Sequence, residues 1–160
     1  MNEIIQFIGE SIWFILPAYF ANSVPILAKG STPLDMKRKL SDGERIFGSG
    51  KTFRGFILGL LAGLGIGVLQ NRLMIGLLLA LGALLGDLTG SFVKRRIGLT
   101  QGEFAPFLDQ LDFVVGGILI VSLINPLTWR TILVILIITI PIHLLTNFLG
   151  YKLGLKSRPY

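Results

Sequence analysis

The chain has 160 residues, of which 52% are hydrophobic and only 15% charged, with a formal net charge of +6 and a mean hydropathy of +0.73. A soluble domain of this size carries more charge and shorter apolar runs, so the composition excludes a water-soluble globule and indicates an all-α integral membrane protein. Cysteine is absent, which excludes disulfides and thiolate metal sites; the basic excess points to no nucleic acid, because its distribution along the chain follows the membrane.

Five apolar segments stand out, at roughly 4–28, 55–70, 74–93, 108–125 and 131–152, each read as a transmembrane helix of about 20 residues or somewhat fewer. The first begins Met1-Asn2-Glu3, acidic where a cleavable signal is basic, so it reads as a permanent helix. Pro17, Asn22 and Pro25 interrupt it near its end. The loop 29–54 then carries seven basic residues: Lys29, Lys37, Arg38, Lys39, Arg45, Lys51 and Arg54. Within it, Gly50-Lys51-Thr52 imitates the end of a P-loop, but Arg45 stands where that pattern needs its first Gly, and no strand precedes it. A Gly-rich turn at a helix start, with Lys51 and Arg54 beside it, still suits an anion.

In the second segment Gly55, Gly59, Gly63 and Gly67 recur every fourth residue, and the third answers with Gly82, Gly86 and Gly90. Such ridges let backbones approach closely in lipid, and the tight Gln70-Asn71-Arg72 turn predicts a hairpin between the two. The third segment contains Asp87 and ends on Lys94, Arg95 and Arg96. Asp87, Ser91 and Lys94 are spaced i, i+4, i+7 and share one helical face. Asp109 and Asp112, spaced i, i+3, open the fourth segment on a common face. His143, the only histidine, lies mid-span in the fifth segment just after Pro141, where a hydrogen-bonding role inside the bundle is expected. Trp13 and Trp129 read as interface or packing residues.

Orientation follows from the basic residues. The loop 29–54, the loop 94–107 with three and the tail with Lys152, Lys156 and Arg158 fall on one side; only Arg72 and Arg130 fall on the other. The positive-inside rule therefore puts the N-terminus outside, and the C-terminus and both basic loops in the cytoplasm. One membrane-embedded domain spanning 1–160 is expected in the cell membrane, with its active site facing the cytoplasm.

An ionisable group at membrane depth is costly and persists through a partner or a function. A single Asp beside Lys94 or Arg95 would read as an ion pair, and Asp109 and Asp112 could merely complement a helix dipole. Three acids at one depth next to a basic cluster point instead to a divalent metal with a phosphate ligand. Hard oxygen donors without Cys or clustered His favour Mg²⁺, or Mn²⁺, over zinc.

These motifs together resemble the CDP-archaeol synthase family, the archaeal relative of the CDP-diacylglycerol synthases. Ser91-Phe92-Val93-Lys94-Arg95 matches the wider group's Ser-x-x-Lys-Arg element. Asp109-Gln110-Leu111-Asp112 matches the acids of its Asp-Arg-x-Asp element, with Gln110 in place of Arg. The Pro-Gly-His-Gly-Gly segment of the bacterial and eukaryotic enzymes is replaced by Phe104-Ala105-Pro106-Phe107-Leu108. Ala21-Asn22-Ser23-Val24-Pro25, Pro33-Leu34-Asp35, Asp42-Gly43 and Gly50-Lys51-Thr52-Phe53-Arg54-Gly55 extend the likeness to the archaeal branch; the last helix adds little to it.

The resemblance implies a Mg²⁺-dependent transfer of a cytidylyl group from CTP to an isoprenoid ether-lipid phosphate, 2,3-bis-O-(geranylgeranyl)-sn-glycerol 1-phosphate, giving CDP-archaeol and pyrophosphate. It implies that Asp87, Asp109 and Asp112 hold metal, with Lys94 also catalytic. Asn22, Lys51, Thr52, Arg54, Ser91, Lys94 and Arg95 would surround the substrates. The alternatives are a diacyl phosphatidate cytidylyltransferase or a small membrane cation transporter. A CDP-alcohol phosphotransferase is disfavoured because Asp42-Gly43-Glu44-Arg45 does not meet that family's core.

Overall fold

The structure, a computed structural model, describes residues 2–28 and 32–156; Lys29 and Arg158, counted above for orientation, lie outside them. Five α-helices follow in order: α1 Asn2–Ser23, α2 Phe53–Leu69, α3 Leu73–Arg96, α4 Leu108–Val121 and α5 Trp129–Lys152. Among the described residues the only β-structure is two isolated bridges. Three helical stretches are long and apolar enough to cross a membrane: Asn2–Leu27, Leu73–Arg96 and Trp129–Lys152. The other two helices are shorter, with 17 residues in α2 and 14 in α4. At about 1.5 Å per residue α4 reaches only about 21 Å, because the chain turns away at Ser122 ahead of Pro126 instead of continuing to Asn125.

The two prolines of the first segment act differently. Pro17 stays inside α1. A proline lacks the N–H that would bond the carbonyl four residues back, and that carbonyl, Trp13 O, accepts a hydrogen bond from Gln70 Nε2 at 2.5 Å. The α2–α3 turn thus repairs the gap. Pro25 does end the α-helix, and Val24–Leu27 continues as a 3₁₀ turn.

Asn71 supplies the left-handed residue of that α2–α3 turn, at φ 54°. Arg72 N–H bonds Gly67 O and Asn71 N–H bonds Val68 O, both at 2.9 Å, which closes a Schellman motif. The predicted hairpin forms, but its seam differs from the ridge-to-ridge expectation. Gly55, Gly59, Gly63 and Gly67 are all buried on one face of α2. They pack on Pro17, Ala21 and Pro25 of the first segment and on Gly76, Ala80 and Leu84 of α3. Gly82, Gly86 and Gly90 face α4 instead, against Gly116, Gly117 and Asp112. One helix has several faces, and four-residue spacing identifies a face without naming its partner.

Ile15, Leu79, Phe113, Val114, Val121 and Ile135 form the centre of the core. Among the described helices α5 packs on α4 and α1. A space is left between α5 and the ends of α2, α3 and α4 that carry the basic loops.

Candidate active site

The loop before α2 is organised by one acid. The Asp35 side chain is fully buried and accepts from Arg45 Nε at 3.1 Å and from the N–H groups of Lys37, Phe47 and Gly48 at 3.0, 3.2 and 3.0 Å. Burial pushes its carboxyl up, but the Arg45 guanidinium and these three N–H donors outweigh that and hold it at about 2. The loop's end is then fixed by Leu34 N–H to Lys51 O at 2.8 Å and Phe53 N–H to Thr32 O at 3.1 Å. Thr52 caps α2, its Oγ1 accepting from Gly55 N–H at 3.1 Å. Lys51 is left pointing at α3, where its Nζ donates to Asp87 Oδ1 and Oδ2 at 2.6 and 2.5 Å. Burial pulls the Lys51 ammonium down, yet Asp87, with Asp112 and Asp109 beyond it, raises it above the ordinary lysine value. It stays charged.

The end of α3 carries the next cation. Gly98, at φ 78°, closes a second Schellman motif through Leu99 N–H to Lys94 O at 3.0 Å. Lys94 Nζ donates to Asp109 Oδ1 at 2.8 Å, Asp109 Oδ2 at 3.1 Å and Glu103 O at 2.7 Å. Asp109 also accepts from Ala105 N–H at 2.9 Å, so it fastens the loop as well as pairing with Lys94. Asp87 therefore pairs with Lys51 and not with Lys94, its neighbour on the helix face.

Asp112 is different. Its carboxylate lies against Gly90, so a Cβ there would overlap it, and it accepts from its neighbour Phe113 N–H at 2.6 Å. Gln110, which stands where the wider group has Arg, is buried and its side chain accepts from Phe107 N–H, capping α4. Arg95 is buried and donates to Thr100 O at 3.1 Å, with its Nε unpartnered among the described residues. Arg96 turns the other way, to Arg45 O at 2.7 Å and Asp42 at 3.2 Å, and staples the two loops together.

These groups open onto one cavity of about 940 Å³. It is lined by every residue singled out above for metal or substrate except Arg54, which sits exposed on the first turn of α2. The wall opposite comes from α5 and the turn after it, through His143, Asn147 and Lys156. His143 is hydrogen-bonded, but within its own helix, between its Nδ1 and Asn147 Nδ2 at 3.3 Å. Lys156 and Asn147 carry no sequence motif. The readable signal was a polar i, i+4 pair, His143 and Asn147, in an otherwise apolar helix, followed by Gly154 at a helix end.

The arrangement suits a charged headgroup joined to apolar chains. The cavity is lined by Lys51, Lys94, Arg95 and three carboxylates and also by apolar side chains such as Leu16, Phe20, Ile142 and Leu149. As folded, two lysines balance two of the aspartates. Among the described residues no group of three or more His, Cys, Asp or Glu stands close enough together to hold a metal ion. The donor chemistry is nonetheless that of a hard divalent cation, since three carboxylates from α3 and α4 face one cavity.

Comparison with known proteins gives one answer throughout. Residues 4–160 match the family model described as CarS-like, CDP-archaeol synthase. The chain is similar to the CDP-archaeol synthase of Methanopyrus kandleri, 47% identical over 96% of this chain and 94% of that one. Similarity to the same enzyme of Pyrococcus furiosus is 43%, over 94% and 97% of the two chains. Among solved structures, an intramembrane enzyme for archaeal membrane lipids biosynthesis superposes with a TM-score of 0.83 and 40% identity, covering 88% of this chain and 94% of that chain.

Proposed function

Because this chain belongs to the CDP-archaeol synthase family and is a CTP-dependent lipid-phosphate cytidylyltransferase, we propose that its acceptor is 2,3-bis-O-(geranylgeranyl)-sn-glycerol 1-phosphate and that the reaction depends on Mg²⁺. The observation that carries this reading is the single cavity in which paired lysines and aspartates adjoin apolar walls. Family membership also sets aside the cation transporter and the CDP-alcohol phosphotransferase.

A phosphate monoester is mostly ionised at neutral pH, its second pKa being about 6. The acceptor is thus already a nucleophile, and the site needs no Ser–His pair. An acceptor oxygen bonds to the α-phosphorus of CTP, the α–β bridging bond breaks, and pyrophosphate leaves with that electron pair. The obstacle is repulsion between two anions, which cationic side chains relieve. Lys51 and Lys94 neutralise phosphate oxygens once they release Asp87 and Asp109, and Arg95 offers the Nε–H that is unpartnered among the described residues. Ser91 and Asn22 orient the substrates from the cavity wall, and Thr52 holds the start of α2 against them. Asp87, Asp109 and Asp112 are the residues that would hold Mg²⁺, which supplies further charge neutralisation on the transferring phosphoryl group.

The same reading gives all five helices a membrane span, with α2 and α4 accommodated by tilt or local thinning, and puts the cavity on the cytoplasmic side of the cell membrane, where CTP is. The native chain lacks cysteine, so single-cysteine labelling tests this directly. Glu44→Cys should react with an impermeant thiol reagent only from the cytoplasmic face and Asn71→Cys only from the outer face. Labelling in the opposite sense would invert the orientation.

Purified protein with labelled CTP, Mg²⁺ and either the geranylgeranyl lipid phosphate or phosphatidic acid tests the reaction. A CDP-lipid formed from the isoprenoid acceptor, and abolished by chelation, is the expected result. Product from phosphatidic acid alone would overturn the acceptor, and product in the presence of a chelator would overturn the metal.

A further inference from the structure

The wall of the cavity opposite α3 is closed by a lysine that no motif marks. α5 ends in a Schellman motif with Gly154 at φ 70°, where Gly154 N–H bonds Tyr151 O at 3.0 Å and Leu155 N–H bonds Gly150 O at 2.9 Å. Gly is needed there because the left-handed region is costly for other residues. The turn folds the chain back along α5, and Lys156 N–H reaches the same Gly150 O at 3.2 Å. The stem of Lys156 then lies beside Gly150, its Cγ 3.7 Å from where a Cβ would stand. Its ammonium donates to Asn147 Oδ1, and Asn147 in turn meets His143 Nδ1 through its amide nitrogen at 3.3 Å. Since Lys156 can only donate, Asn147 must present its oxygen to the lysine and its NH₂ to the ring. His143 Nδ1 is therefore an acceptor, and the chain of three fixes the direction of each member.

Among the described residues no carboxylate pairs with Lys156. The other two cavity lysines each face a carboxylate, Asp87 or Asp109, whereas among the described residues Lys156 forms no ion pair and rests on a neutral amide. Burial lowers its affinity for a proton, Lys51 and Lys94 lower it further, and only Asp109 and Asp87 act the other way. A half-buried ammonium in this setting is stabilised by a further anion entering the cavity.

We propose that Lys156 is a substrate-binding residue of the cytidylyl transfer: its ammonium, seated by Asn147 and His143, binds a phosphate oxygen of the nucleotide or of the lipid acceptor. The proposal rests on the reaction proposed above and adds a ligand from a segment outside the family motifs. Both substrates present the same chemistry, a phosphate oxyanion, so the measurement must separate them.

The test compares Lys156→Met, Lys156→Arg and Asn147→Leu with the native protein, measuring kcat, KM for CTP and KM for the lipid phosphate, and separately the equilibrium binding of each substrate. Losing one charge-assisted hydrogen bond should raise KM and Kd for one of the two substrates by roughly tenfold to a hundredfold in Lys156→Met. Lys156→Arg should recover most of that, because charge is retained. Asn147→Leu should shift the same substrate's KM, which marks Asn147 as a positioning residue. A shift confined to CTP assigns the nucleotide, and one confined to the lipid assigns the acceptor. A folded Lys156→Met variant with both KM and both Kd values within twofold of native would overturn the proposal. If the native protein makes no CDP-lipid, the assigned reaction fails instead, and the two Kd comparisons still decide whether Lys156 binds phosphate.

Discussion

Replacing Asp112 by Asn should leave a protein that inserts and folds but forms CDP-lipid roughly 10² to 10³ times more slowly, the scale on which a lost electrostatic stabiliser acts. The expectation comes from how little structure depends on this charge. Asp112 accepts a hydrogen bond from Phe113 N–H and lies against Gly90. Asn has the same shape and keeps an oxygen for that N–H, so the fold has no reason to change. Asp109 is the instructive contrast, because it also holds Lys94 and the Ala105 N–H. Asp109→Asn should therefore lose thermal stability as well as rate, whereas Asp112→Asn should lose rate alone. Steady-state turnover alongside a melting curve separates the two. A near-native rate for Asp112→Asn would remove it from the proposed metal set.

Adding one methyl group at Gly90 should be almost as damaging as removing the charge. A Cβ there would overlap the Asp112 carboxylate, with Asp112 Cγ at 2.8 Å and Cβ at 2.9 Å. Rotating the carboxylate cannot relieve the second contact, so α3 and α4 must part or Asp112 must swing out of the cavity. Overpacking of this kind costs about 1–3 kcal/mol, and a displacement of about 1 Å at a reacting centre can cost about a hundredfold in rate. Gly90→Ala should thus show both a lower melting temperature and turnover reduced about a hundredfold. Gly65→Ala provides the control, since nothing lies within 4 Å of its Cβ position, and it should keep full activity. Native turnover in Gly90→Ala would show that Asp112 need not stay where it is.

The helices were legible because charge and hydropathy alternate along the chain on the scale of a bilayer. Asp87 stood out for the same reason: an acid in an apolar run has to be explained. Which groups meet was not legible. Asp87 shares a helix face with Lys94, yet its partner is Lys51, 36 residues earlier, and that pairing follows from the loop Asp35 organises. Local spacing carries no information about a contact made by a loop. The glycine ridges were similar: Gly82, Gly86 and Gly90 were visible as a close-packing face, but only the three-dimensional arrangement shows that α4, and Asp112 with it, occupies that face. Arg54 was grouped with Lys51 by adjacency, although one residue of helix at the Thr52 cap is enough to turn it out to the surface. Lys156 was invisible as a site residue because a basic residue after a membrane helix already has an explanation in orientation.

The placement of α5 has a consequence for how the molecule is made. α2, α3 and α4 each pack against the helix before them, so each can find a partner as soon as it leaves the ribosome and enters the lipid. The wall supplied by His143, Asn147 and Lys156 comes from the last described helix and its turn, and that helix packs on α1 and α4 and not on α2 or α3. A nascent chain paused before α5 already carries Lys51, Asp87, Lys94, Asp109 and Asp112, but its cavity is open on one side to the acyl chains of the membrane. On the proposed reading, the site is therefore complete only once α5 has docked, and a chain still lacking that helix has no wall on that side against which to hold CTP.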